Sequence, residues 1–176
     1  MLSANGGLIM ILGMSLSMFT QLHVLLSLIG IVAGLIVVFA MLTSHRVPVT
    51  TAVFLATTVA TSATGFLFHF TSFGPPEIVG VISLAVLAIA LLALYVYKLA
   101  GVWRFIYAGT AVFALYLNVF VGVVQGFQKI ALFHALAPTQ TEPPFKVAQG
   151  LVLIAFIALG VAAARKFRPK ASPAFA

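Results

Sequence analysis

The chain has 176 residues, 63% of them hydrophobic and 6% charged, with a formal net charge of +7 and a mean hydropathy of +1.24. A water-soluble domain carries about a quarter charged residues, so that class is excluded. No stripe of cations alternates with aromatics, so the positive charge marks no nucleic-acid surface.

There is no cysteine, which removes disulfides, iron–sulfur clusters, thiolate metal sites and covalent haem attachment. Runs of about 20 apolar residues mean helices that cross a bilayer, because each span must satisfy its own backbone hydrogen bonds. Strict alternation of apolar and polar residues is absent, which excludes a closed barrel. The predicted fold is all-α: one polytopic integral membrane helix bundle over residues 1–176, with five transmembrane helices.

Residues 2–42 carry no charge. The start lacks a basic n-region, so no signal-peptide cleavage is expected. Leu8 to Phe19 is too short to span alone and reads as an outer extension of the first helix or an interfacial segment; Met18 is an alternative start. The first span is about 19–42 and contains Gly30-Ile-Val-Ala-Gly34, a small-xxx-small face that admits close helix approach.

The second helix, about 49–73, is rich in hydroxyls. Thr57, Thr61 and Thr64 share one face, and Thr58, Ser62 and Gly65 share the next. Such hydroxyls bond the preceding turn or a neighbouring helix; a path for a small solute is the less economical reading. Gly74-Pro-Pro-Glu77 is a turn into the third helix, about 77–97. Proline suits the first helical turn, and Glu77 complements the positive end of the dipole. This helix is apolar until Tyr95, Tyr97 and Lys98, and reads as lipid-facing or scaffold.

The fourth helix, about 103–128 with a possible extension to 136, opens the stretch that holds most of the polar chemistry. A second Pro-Pro turn ending at Pro144 leads into the fifth helix, about 145–164, and residues 165–176 form a basic tail.

Five spans put the termini on opposite sides. One side collects seven cations (Arg46, Lys98, Arg104, Arg165, Lys166, Arg168 and Lys170) and the other two (Lys129 and Lys146). Positive charge marks the cytoplasmic side, so the expected topology has the N-terminus outside and the C-terminus cytoplasmic. No internal repeat or pair of inverted halves is visible.

Asn118, Gly122, Gln125 and Lys129 lie 4, 3 and 4 residues apart along the fourth helix. At helical period they fall within an arc of roughly 60°. Polar side chains at lipid depth face protein or a cavity, so this face is expected to be buried. Interhelical hydrogen bonding is the simplest account. The alternative is an outer-leaflet pocket for a cofactor, quinone or lipid headgroup, walled by Asn118, Gln125 and Lys129 with Gln149 opposite. Haem offers a narrower variant, with His23 and His69 at similar depth as axial ligands. No metal-ligand spacing such as HxxxH occurs.

There is no aspartate, no nucleophile–base motif, no phosphate loop and no ionisable group near a midplane. The expectation is therefore a protein that is not an enzyme and does not couple transport to ions.

The segment Ala114-Leu-Tyr-Leu-Asn-Val-Phe-Val121, with Gln125, Lys129 and the run from Ala135 through Ala-Pro-Thr-Gln-Thr-Glu-Pro-Pro to Phe145, resembles a family of uncharacterised bacterial inner-membrane proteins. Thr61-Ser-Ala-Thr-Gly-Phe66 fits the same pattern, and the resemblance covers about 23–169. It implies a bacterial cytoplasmic (inner) membrane location and supplies no catalytic residue. In that pattern proline often stands where this chain has His69, which argues against an axial role there. The expected function is a structural or accessory subunit of a larger membrane complex, such as an energy-transducing one, with the lipid bilayer and other membrane subunits as partners. The alternative is a redox or lipid-handling protein.

Overall fold

The computed structural model describes residues 10–68 and 74–168. Within them the chain is helical apart from one small hairpin. Met10–Ile11 (β1) pairs antiparallel with Met14–Ser15 (β2), Met10 opposite Ser15 and Ile11 opposite Met14. The turn needs positive φ at both central residues, and Leu12 (φ 53°) and Gly13 (φ 77°) supply it. The expected helical extension before Phe19 is thus a hairpin up to Ser15, whose hydroxyl then caps the first helix by accepting from Met18 N at 3.3 Å.

The helices are α1 (Leu16–Leu42), α2 (Pro48–Gly65), α3 (Pro75–Leu91), α4 (Trp103–Lys129), α5 (Ala131–Leu136) and α6 (Pro143–Lys166). α1, α4, α6 and α3 with its terminal π turn are long and apolar enough to cross a membrane. α2 is not among the four, because its hydroxyls lower its hydropathy and it stops at Gly65. The predicted end near Phe73 is not reached: residues 66–68 are turn, and 69–73, with His69, lie outside the described residues.

α3 ends in a π-helical turn, Leu92–Val96, where Tyr97 N donates to Leu92 O. The predicted extension of α4 to residue 136 is interrupted. Ile130 is extended (φ −91°, ψ 116°), and α5 begins afresh beyond it.

α4 lies at the centre. It touches α1, α3, α5 and α6 and, more lightly, α2, while α1 and α2 pack closely side by side. The five long elements alternate in direction. Their ends form two clusters, one with the starts of α1, α3 and α6 and the ends of α2 and α4, the other with the opposite termini. Gly30 and Gly34 let α1 approach its neighbours. A Cβ at Gly34 would lie 2.6 Å from Leu115 Cδ1 and 2.8 Å from Phe54 Cε2. Gly122 and Gly126 are different: added Cβ atoms there meet only Ile31 and Phe133, each at 3.8 Å. That pair is not a close contact between helices.

The apolar core fills the half of the bundle toward the end of α1, with Val37, Val38, Met41, Phe54, Leu87 and Tyr107 among its members. α3 contributes Leu87 and Ala90 to it and packs on both α2 and α4, so it is more than a peripheral scaffold. Among the long helices α6 is the outlier, burying Ala163 alone.

Candidate functional site

The polar side chains gather in the other half, toward the start of α1. Four neighbouring pairs of long elements carry a polar tie there. Ser27 Oγ of α1 donates to Asn118 Oδ1 of α4 at 2.6 Å, and Asn118 Nδ2 donates back to Ser27 O at 3.3 Å. Ser62 and Ser83 hydroxyls join α2 to α3 at 2.8 Å. Gln149 Nε2 of α6 donates to Phe120 O of α4 at 3.2 Å. His23 Nδ1 of α1 meets Thr64 Oγ1 of α2 at 2.8 Å.

The last contact sets a tautomer. Thr64 Oγ1 already donates to Ala60 O at 2.7 Å, so it accepts from His23, and the neutral ring carries its proton on Nδ1. Phe68 packs on the imidazole edge-on at 5.2 Å between centroids.

Gly30 sits at the middle of this junction. Its missing side chain leaves room for Thr58 Oγ1, Asn118 Nδ2 and Thr57 Oγ1, each 3.0 to 3.1 Å from where a Cβ would be. The α2 hydroxyls point their protons back into their own helix: Thr57 to Val53 O and Thr58 to Phe54 O, both at 2.7 Å. Thr61 Oγ1, Glu77 Oε1 and Gln149 Oε1 are buried and have no hydrogen-bond partner among the described residues.

The four predicted wall residues do not converge. Asn118 is buried against α1 and Gln149 reaches the α4 backbone. Gln125 Nε2 donates to its own helix neighbour Gln128 at 3.3 Å, and Lys129 is exposed. The expected burial of the whole Asn118–Lys129 face therefore holds only at the Asn118 end: Gly122 and Lys129 are exposed and Gln125 is half-buried. A stripe on one helix can face two neighbours and then run past their ends, which periodicity alone does not register. Among the described residues no three His, Cys, Asp or Glu side chains come close enough to hold a metal ion together.

Beyond the helix ends of this half, Glu142 organises the turn before α6. Its carboxylate accepts from Thr139 Oγ1 at 2.8 Å, Thr139 N at 3.2 Å and Thr141 N at 3.0 Å. Slight desolvation raises its pKa. The Thr139 hydroxyl and the surrounding backbone donors outweigh that and hold it below the ordinary carboxylate value.

A cavity lies at the opposite, basic end. It measures about 440 Å³ and is bounded by α1, the α1–α2 loop, the last turns of α3, the start of α4 and Phe167 after α6. Val37, Met41, Leu94 and Leu99 give apolar walls, and His45, Arg46 and Lys98 lie at its rim. The Tyr107 hydroxyl, buried within it, faces Thr51. Phe167 is buried against Tyr107, and Arg168 N donates to Ser44 Oγ at 2.7 Å, so the segment after α6 is tied under the α1–α2 loop.

Sequence reasoning missed this cavity, because its lining comes from five separated segments with no shared motif. It also missed Ser27, although His23, Ser27, Gly30 and Gly34 stand 4, 3 and 4 residues apart, a helical stripe open to inspection. Comparison with known protein families, curated proteins and solved structures gives no match.

Proposed function

We propose that this protein is a non-catalytic multi-pass subunit of a larger membrane assembly, structural or accessory in role and of the energy-transducing kind. The observation that carries this reading is where the polar side chains go. At the helix interfaces Ser27, Asn118, Ser62, Ser83, His23, Thr64 and Gln149 are engaged in ties between helices, an arrangement that suits a structural role. The second support is α6, which offers a continuous apolar surface. Val147, Leu151, Ile154, Ala158 and Val161, spaced by 4 and 3, are all exposed along it. Within a bilayer such a stripe meets either lipid or a helix of a partner, and its regular spacing suits a helix.

Five spans belong to the same reading. α2 is 18 residues long, about 27 Å at the helical rise, slightly less than the apolar thickness of a bilayer. It nevertheless runs between the two end clusters, so it crosses wherever α1 and α3 cross. The cation excess then puts the end holding Arg46, Lys98 and Arg165 in the cytoplasm, with the N-terminus outside. The resemblance to bacterial inner-membrane proteins supports a bacterial inner membrane as the compartment.

Purification from native membranes in mild detergent tests the assembly. The expected result is a stoichiometric complex with another integral membrane protein through gel filtration and native mass spectrometry. A lone, monodisperse monomer under lipid-preserving conditions overturns the proposal.

A redox or lipid-handling role at the outer half has one observation in its favour. Thr64 holds the His23 ring with Nε2 unprotonated, the state a haem ligand needs. Absorption spectra without a Soret band and solvent extracts without quinone or enriched lipid end that reading.

A further inference from the structure

We infer that the cavity at the basic end binds one anionic membrane lipid, its phosphate against Arg46 at the rim and part of an acyl chain inside. The inference rests on the reading that the helices cross a membrane. It is independent of the assembly proposal, which concerns α6.

Size and chemistry both select this occupant. A volume of about 440 Å³ falls in the range of small-ligand pockets and is too small for a whole two-chain lipid. Its interior walls, Val37, Met41, Leu94 and Leu99, give an inserted chain apolar contacts. The charged residues of the rim, Arg46 and Lys98, are both cations. His45 lines the rim beside them, and Arg168 follows Phe167 on the same side. The chain has only two side-chain carboxylates, Glu77 and Glu142, and both belong to the other end of the bundle. A phosphate brings the anion that this end attracts, and a guanidinium can take it in bidentate fashion. Basic pockets between helices are where acidic headgroups lodge on the cytoplasmic face of membranes.

The backbone is unusual at the same place. The π-helical turn Leu92–Val96 puts Leu94 and Tyr95 on the cavity wall. Lys98 and Leu99, neither of them glycine, follow with φ of 49° and 63°. π turns and left-handed residues concentrate at functional sites, because the surrounding structure must hold them there. Here they bend the chain around the hollow instead of letting α3 run straight past it.

The test is native mass spectrometry of the full chain released from nanodiscs that hold phosphatidylglycerol and phosphatidylcholine in equal amounts. The expected result is one retained phosphatidylglycerol, preferred by about fivefold or more, the worth of a single basic side chain at a charged surface. Arg46→Ala abolishes that preference. Arg104→Ala, at the same end but outside the cavity lining, leaves it unchanged. Val47→Trp, which fills the mouth, removes retention with Arg46 intact. Equal retention of the two lipids, or equal loss in Arg46→Ala and Arg104→Ala, overturns the proposal in favour of diffuse surface charge. Displacement by inorganic phosphate at millimolar concentration overturns it in favour of a free-anion site. Should Val47→Trp fail to fold, wild-type protein photolabelled with a phosphatidylglycerol bearing a diazirine in its acyl chain decides the matter. Label in peptides containing Met41 or Tyr107 supports the site; label confined to α6 sinks it.

Discussion

Gly34 and Gly109 show how differently a missing side chain can count. Gly34 permits a contact in which any Cβ would overlap Leu115 and Phe54, both buried. Gly34→Ala is expected to cost about 1–3 kcal/mol through overpacking. Gly109→Ala, where nothing lies within 4 Å, should be neutral or slightly stabilising because alanine favours the helix. Thermal unfolding of both variants in one detergent checks the pair; equal midpoints would refute the packing account.

The Asn118–Ser27 tie is a polar bond at lipid depth. Coupling across such bonds averages about 0.6 kcal/mol and reaches about 1.7 kcal/mol, since an unfolded chain in the membrane also finds partners. A double-mutant cycle with Asn118→Ala and Ser27→Ala should return a coupling in that range. Strict additivity would mean that the two side chains do not bond.

Glu142 sets the acid response of its turn. Because its carboxyl titrates below the ordinary value, whatever order its charge lends the turn is fully present above the unfolded pKa. That order is lost as pH falls through the lower, folded one. Amide shifts of Thr139 and Thr141 followed by NMR should titrate with a midpoint below the reference value of 4.5. A midpoint at or above the reference would show that the donors do not hold the carboxylate.

Among the long helices, α6 buries the fewest residues against its own chain. It meets mainly α4, through Gln149 on the Phe120 carbonyl and Phe156 on Tyr116, and the segment after it is fixed by Phe167 and Arg168. Its outward stripe is exposed among the described residues, with Ile154 at 66%, so Ile154→Trp should change intrinsic stability by no more than about 0.5 kcal/mol. If α6 is the contact with a partner subunit, the same variant should lower the fraction of intact complex severalfold in native mass spectrometry. Unchanged complex would move the interface to another face. α3 makes the opposite point: it looks uniformly apolar in sequence, yet one side of it is core. An all-apolar helix does not reveal which side meets protein when lipid and core are equally greasy.

At the scale of the molecule, polarity divides along the bundle axis. Most ties between helices occupy one half, and the tight apolar core with the basic cavity, where Tyr107 meets Thr51, occupies the other. Absence of native cysteine makes topology simple to measure. Thr139→Cys should react with an impermeant maleimide from outside intact cells, and Ala100→Cys only after the membrane is opened. The reverse pattern would invert the orientation and place the cavity in the outer leaflet.

What the sequence determined by itself is the solvent of this protein and the kind of element it is made of. Charge is so scarce, and the apolar runs so long, that only helices in lipid satisfy the backbone. The number and rough position of the long helices follow from where prolines, glycines and cations interrupt those runs. The Gly30–Gly34 contact was readable for a related reason, because small residues at that spacing have few other uses at lipid depth. The tertiary structure alone decided which polar side chain meets which, why the Asn118 stripe is buried only at one end, and that a hollow opens among the cations. Those outcomes depend on helix rotation and on backbone departures such as the π turn and the break at Ile130. Hydropathy fixes the length of a helix in lipid but is nearly blind to its rotation, so partners across an interface emerge only when the helices are packed.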